Sequence, residues 1–152
     1  MRGRRELLAL ALVLLLVTAV AGCRAGARQP AFDGEFEAVV LSQAPADLQA
    51  HFERMKAVPG LTVLQRGDQT YLMLLAGRVD EPGMRVEVLD VQKPEKGSKE
   101  VRLLAILRPG GQDDYPHAVL VLEGAQGLTF KARLATTGEQ VLELSGVPLV
   151  DR

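Results

Sequence analysis

The chain is poor in the residues from which most active sites and cross-links are built. Its 152 residues include one cysteine, two histidines and no tryptophan. A single thiol cannot close an internal disulfide, so a domain made from this chain is held by its core alone. Two histidines leave little scope for a metal centre. His51 has Arg54 at i+3 and Met55 at i+4, His117 follows Tyr115 and Pro116, and neither falls in a zinc-ligand spacing. Ser42, Ser98 and Ser145 lack the G-x-S-x-G surroundings of an activated serine. Asp113 and Asp114 lack the alternating oxygen donors and the glycine of a calcium loop. The glycines form no phosphate-cradling turn ahead of a helix. Nor is there an excess of positive charge: 18 bases face 19 acids, and 15 face 18 once residues 1–22 are set aside. That balance gives no electrostatic footprint for nucleic acid. These absences lead to the expectation of a protein that is not an enzyme, with no catalytic set, no metal and no cofactor.

Long apolar runs are also missing, with one near exception at the start. Residues 7–20, "LLALALVLLLVTAV", are apolar apart from Thr18 and follow the basic "MRGRRE". Fourteen residues of helix reach about 21 Å, short of the ~30 Å hydrocarbon core of a bilayer. A basic start, an apolar stretch of this length and small residues after it describe a secretory signal peptide. The run Val20-Ala21-Gly22-Cys23 then resembles the lipobox of bacterial lipoproteins. That resemblance implies a leader of residues 1–22, recognition of Val20, Ala21 and Gly22 by the signal peptidase, and a Cys23 sulfur joined to diacylglycerol. Two or three acyl chains, at about 0.8 kcal/mol per buried CH₂, hold a protein on a bilayer essentially permanently. The alternative is an uncleaved anchor, since residues 7–22 span a thinned bilayer. Both readings put the domain outside the cytoplasm. Arg24 stands where many inner-membrane lipoproteins carry Asp, so the expected location is the cell membrane or an outer membrane. Residues 23–34, "CRAGARQPAFDG", are small and turn-prone and read as the lipidated cysteine and a flexible tether.

Residues 35–152 read as one β-rich domain with a single helix near its start. A first strand is expected within residues 35–43. In the next segment the period changes: Leu48, Phe52 and Met55 fall at i, i+4 and i+7, with Ser42 and Pro45 before them and Pro59-Gly60 after. Everything downstream is strand-like, with turn signals about every ten residues. Arg66, Gly67 and Asp68 form a hairpin turn, residues 84–91 and 128–135 alternate apolar and polar, and residues 72–76 and 118–122 are apolar on both faces, as central strands are. The expected fold is mainly β, α+β with one N-terminal helix, arranged as an antiparallel β-sandwich or partly open barrel.

The segments "YLMLLAGRVDEPGMRVEVLDV", "VRLLAILRPG" and "YPHAVLVLE" resemble the C-terminal domain of protease complex subunit PrcB, found in bacterial lipoproteins, over residues 45–122. Gly77, Gly83, Pro109 and Pro116 match that family's glycines and prolines. Glu81, Pro82 and Met84 stand where its Thr-Gly-Gly-Tyr loop has Thr, Gly and Tyr, and His117 replaces a second Tyr. The resemblance implies a non-catalytic, membrane-anchored module that binds a protein partner, in support of an exported protease complex. The candidate contact loops are Arg78, Asp80, Glu81, Pro82, Gly83 and Met84, and residues 110–115, because recognition is usually carried by loops on a rigid β scaffold. For Met84 two roles stay open, an apolar contact or a core position opening the alternating strand. The loop also resembles, in outline, the one that β-sandwich inhibitors insert into cysteine proteases. A loop-inserting protease inhibitor is therefore the alternative, and a small-ligand-binding envelope protein a further one. The lipobox reading predicts that cells fed labelled palmitate incorporate it into the wild-type chain and not into Cys23→Ala; equal labelling of the two would refute it.

Overall fold

The computed structural model describes residues 32–150. The leader, the Val20-Ala21-Gly22-Cys23 run, the tether up to residue 31 and the last two residues lie outside the described residues. The elements in chain order are β1 (Glu37–Val39), a single 3₁₀ turn (Leu41–Gln43), α1 (Ala46–Met55), β2 (Gly60–Arg66), β3 (Gln69–Leu75), β4 (Met84–Gln92), β5 (Glu100–Pro109), β6 (His117–Glu123), β7 (Thr129–Ala135) and β8 (Val141–Pro148). All eight strands belong to one sheet, ordered β1-β6-β3-β2-β8-β7-β5-β4 and curled into a half-barrel. The fold is thus mainly β with one helix, as the alternation of apolar residues and the turn spacing predict.

Two of the seven pairings are parallel, which departs from the expected all-antiparallel arrangement. β5 and β7 run side by side from Glu100↔Thr129 to Ile106↔Ala135, and β2 and β8 from Leu61↔Gly146 to Val63↔Pro148. The first follows from where β6 lies. It pairs with β1 and β3 on the other wall of the half-barrel, so the chain leaves β5, crosses over, and returns to start β7 beside β5 in the same direction. The second arises because β8 changes neighbour partway along. Val141–Ser145 pair antiparallel with β7, and Gly146, Val147 and Pro148 pair with β2. Gly146 marks the change, and a Cβ there would lie 2.9 Å from Val63 Cγ2 and 3.1 Å from the Phe130 carbonyl oxygen. Only glycine lets β8 pass this close to both walls.

The walls enclose the larger core, in which Leu61, Leu72, Leu74, Leu103, Leu120, Leu122 and Leu134 are buried together with Phe130. A second, smaller core lies outside the first wall, where Leu48 and Phe52 of α1 pack on Leu64, Met73, Leu75 and Val119. This explains why β3 and β6 are apolar on both faces: Leu72 and Leu74 point into the half-barrel, Met73 and Leu75 under the helix. The Gln49 amide donates to the Ala44 and Ser42 carbonyls at 2.8 and 3.3 Å, tying α1 to the 3₁₀ turn.

Three expectations are corrected. The first strand is only three residues long, because the chain turns into the 3₁₀ element at Leu41. In β4 the pairing with β5 shifts between Val88 and Asp90, a β-bulge that leaves Leu89 exposed and restores Val91 to the core. The domain also begins earlier than residue 35. Phe32, read as tether, is 7% exposed and belongs to the main core with Val91. A tether residue tolerates truncation, whereas a buried phenylalanine does not. Phe32→Ala is expected to destabilise the domain by about 3 kcal/mol or more in denaturant unfolding, while Phe36→Ala, on a half-exposed ring, is expected to cost less than half as much.

Candidate functional site

The two loops singled out from sequence meet at one end of the half-barrel. β4 starts and β5 finishes there, with Met84 paired to Pro109. The Gly83 carbonyl accepts two hydrogen bonds, from the Gly110 N–H at 2.8 Å and the Gly111 N–H at 2.9 Å. Gly83 itself has φ of +74°, which turns that carbonyl inward at the mouth of the β4–β5 pair. Gly111 packs so tightly that a Cβ on it would lie 1.9 Å from the Met84 carbonyl oxygen. The stitching continues outward. The Ala76 N–H donates to the Pro116 carbonyl at 3.0 Å and the Arg78 N–H to the Ala57 carbonyl at 3.3 Å, so the helix exit, the 76–83 segment and the 109–116 segment form one joined surface.

Of the sequence-predicted contact residues, Arg78, Asp80, Glu81, Pro82 and Gly83 are exposed. Met84 is not. At 3% exposure it is a core residue in phase with Val86, which resolves its two roles in favour of packing. In the second loop Asp113 and Asp114 are exposed and Tyr115 is half-buried against the helix layer. Four acids therefore stand on the joined loops against one base, Arg78. Lys56, at the end of α1, adds a second cation at their edge. Its Nζ lies 2.8 Å from Glu53 Oε2 and 5.1 Å from the Tyr115 ring centre. The hydrogen bond to Glu53 is the main reason its pKa is raised, with the charge of Asp114 adding to it.

Beside these loops lies an apolar groove that sequence reasoning did not find. It occupies about 310 Å³ between the end of α1 and β8, and Met55, Val58, Pro59, Leu144 and Val147 line it. Met55 is 39%, Val58 52% and Val147 64% exposed, an unusual concentration of open apolar side chains for this domain. Met55 had been placed on the buried helix face by its i+7 spacing. The helix ends there, and the sheet beneath it curves away, so the side chain overhangs the groove. Val58 carries a faint signal in sequence, an apolar residue in a helix-exit turn. Val147 carries none, since it arrives from 89 positions further along the chain. His51 also borders the groove, with its Nε2 3.2 Å from the Thr62 hydroxyl. Its pKa is lowered, first by burial and then by the charge of Arg54. His117 stacks at a tilt on Phe52, with ring centres 4.6 Å apart, and its Nδ1 lies 2.9 Å from the Tyr115 carbonyl. Both histidines are thus engaged in holding the helix layer together.

Among the described residues no three His, Cys, Asp or Glu side chains converge to hold a metal ion. No helix among them is long and apolar enough to cross a membrane. Comparison with protein-family models, with curated proteins and with solved structures returned no match.

The packing of Gly111 yields a direct test of how the loops are joined. Gly111→Ala forces its methyl group into the Met84 carbonyl, and overpacking of this kind typically costs about 1–3 kcal/mol. Chemical denaturation should show a loss in that range or beyond it for Gly111→Ala and less than about 0.5 kcal/mol for its exposed neighbour Gln112→Ala.

Proposed function

We propose that this chain is a non-catalytic lipoprotein of the cell envelope, held to the cell membrane or an outer membrane through acylated Cys23, whose β-rich domain binds a protein partner. The contact surface is the end of the half-barrel formed by residues 78–83, residues 110–115 and the groove of Met55, Val58 and Val147. The observation that carries this reading is the composition of that end, with open apolar side chains in the groove at the helix exit and exposed Asp80, Glu81, Asp113 and Asp114 on the loops hydrogen-bonded to that exit and to each other. An apolar centre with a charged rim is how protein–protein contacts are commonly built. The acidic rim suits a partner with a basic face, and such charges set specificity and the rate of encounter more than affinity. The PrcB-like segments add that the partner belongs to an exported protease complex.

The position of the surface supports the same reading. The chain enters the fold through Phe32, beside Val91, at the end of the half-barrel holding the β2–β3, β4–β5 and β6–β7 turns. The proposed contact surface lies at the opposite end, where β3 and β5 finish and β4 and β6 begin. A domain tethered at Cys23 would present that surface away from the bilayer. The inhibitor alternative would use the 78–84 loop as a wedge, but the Gly83 carbonyl is already occupied and Met84 is buried.

The test is capture from native envelopes with the full-length chain, the bound proteins being identified by mass. Wild type is expected to retain a protein that Val58→Asp and the double variant Glu81→Lys, Asp114→Lys lose by about tenfold or more, equivalent to 1.4 kcal/mol. Equal recovery by all three forms would exclude this end of the domain as the contact surface.

A further inference from the structure

The charges of the domain are separated along the sheet. Residues 84–109 and 129–145, which build the wall of β4, β5, β7 and the first part of β8, hold eight lysines and arginines against six acids. The other described residues hold four against eleven. On the outer face of the first wall the helix layer covers the strands, whereas the outer face of the second is open and carries ion pairs. Glu87 joins Arg85 and Arg108, each at 3.4 Å, and Glu100 joins Arg102 at 2.9 Å and Lys131 at 3.2 Å. Those cations are satisfied within the domain.

Three others are not. Lys93, Lys96 and Lys99 all stand exposed on the β4–β5 turn and make no ion pair or hydrogen bond through their side chains. The turn is at the end where the chain enters the fold. Val91, just ahead of it, shares the main core with Phe32, and the Val91 carbonyl lies 3.3 Å from where a Cβ on Gly34 would be. Eight residues, and so nine Cα–Cα steps, separate Phe32 from Cys23. Fully extended they reach no more than roughly 32 Å, so a lipid on Cys23 keeps this end of the domain at the bilayer. The intervening tether carries Arg24 and Arg28 and no acid. Acids are present at the same end: Glu95 within the turn, Asp90 and Glu100 on the strands that flank it, Asp33 and Glu35 on either side of Gly34 against Val91, and Glu37, Asp68 and Glu123 on the β1–β6 side. The turn itself carries three lysines against one acid, and Glu100 is already held by Arg102 and Lys131. Two polar hollows of about 310 and 380 Å³ continue from the turn along the open outer face, lined by Lys93, Arg102, Lys131 and Arg133 together with Glu95, Glu100 and Glu143.

We infer that the Lys93–Lys96–Lys99 turn is a docking surface for the anionic headgroups of the membrane that anchors the chain, and that it tilts the domain onto its β4–β5 side. Each lysine near an anionic surface strengthens attraction by roughly fivefold. The effect decays within a Debye length of ~10 Å at 0.1 M salt, which is why a short tether is needed for it to act. Docking of this kind sets orientation: it holds the acidic loop end away from lipid and turns the helix wall and its groove outward. It rests on the reading of Cys23 as the point of attachment.

Because Cys23 is the only cysteine, and is acylated on that reading, a cysteine introduced elsewhere is the sole free thiol. The full-length chain carrying Ser98→Cys, or Thr137→Cys on the β7–β8 turn as control, is reconstituted in phosphatidylcholine vesicles and in vesicles with about a third phosphatidylglycerol. The rate of reaction with a water-soluble maleimide is then measured. Docking predicts that Ser98→Cys reacts at least threefold more slowly in the anionic vesicles, that 0.5 M salt or Lys93, Lys96 and Lys99→Gln abolishes the difference, and that Thr137→Cys is indifferent to lipid. Equal rates in both vesicles, or protection that survives salt and loss of the lysines, would overturn the proposal. The mass of the purified chain reports separately whether Cys23 is acylated. In an unacylated chain still held by residues 7–22, Cys23 is a second free thiol, so the same comparison is then made with Cys23→Ser added, and it reads the lysine turn even if the lipid reading fails.

Discussion

The fold depends on a single strand sharing its hydrogen bonds between two walls. β8 spends its first five residues on β7 and its last three on β2, and no other strand links the β1-β6-β3-β2 wall to the β7-β5-β4 wall through backbone pairing. The handover takes place at Gly146, where both Val63 and the Phe130 carbonyl lie closer than van der Waals contact to where a side chain would begin. If β8 could not turn there, the two walls would still form their own ladders but the large core between them would open along one side. That core contains most of the buried apolar residues of the domain, and burial at about 25 cal/mol per Å² is the dominant favourable contribution in a chain without cross-links.

A consequence of this join is the unequal treatment of the two walls. One ten-residue helix is enough to cover one of them and is spent on the β6-β3-β2 side, where β3 accordingly has leucine or methionine at four successive positions. The other wall has nothing outside it. Its outward positions are largely polar, with Arg102, Arg108, Lys131 and Arg133 among them, and the apolar Leu104 and Ile106 on the same face of β5 are half-buried. Cross-strand pairing places like charges opposite each other, Arg85 against Arg108 and Arg102 against Lys131, which taken alone is unfavourable. One glutamate bridges each pair. Glu100 responds to its two hydrogen-bonded cations with a lowered pKa, Arg102 contributing first and Lys131 second. Its contribution to stability is thus present above the ordinary carboxylate range and lost as pH falls through the lowered value. The residue is solvent-exposed, so that contribution is small.

Most of the architecture was legible because the sequence alternates cleanly. The alternating stretches 84–91 and 128–135 match β4 and β7 within one residue, and the doubly apolar stretches 72–76 and 118–122 fall in β3 and β6 to the same margin, since each is bounded by glycine, proline or charged turns. What escaped was whatever depends on contacts distant in sequence. Periodicity cannot reveal that β5 pairs in parallel with β7, because the reason is the location of β6. Nor can it reveal that Phe32 belongs to the core, because Val91 of the same core lies across the half-barrel at the far side of a bulge. In the candidate site the loops were legible through their glycines. That the Gly83 carbonyl would bind both Gly110 and Gly111, and that Val58 would meet Val147, was not, since each needs the curled sheet already in place.

The two ends of the half-barrel are separated by a constraint of chain direction. The chain enters beside the β4–β5 turn and runs the length of the sheet between its ends, so every connection falls at one end or the other. The two-residue β2–β3 hairpin, the longer β4–β5 turn and the β6–β7 crossover collect at the end where the chain enters. Residues 76–83, residues 110–116 and the β7–β8 turn collect at the opposite end together with the helix exit. Short turns have little freedom to vary without disturbing register, whereas longer loops do. Variation in this domain is therefore tolerated least in the two-residue β2–β3 turn and best at exposed positions of the longer connections, such as Asp80, Glu81 and Gln112, away from the closely packed Gly111.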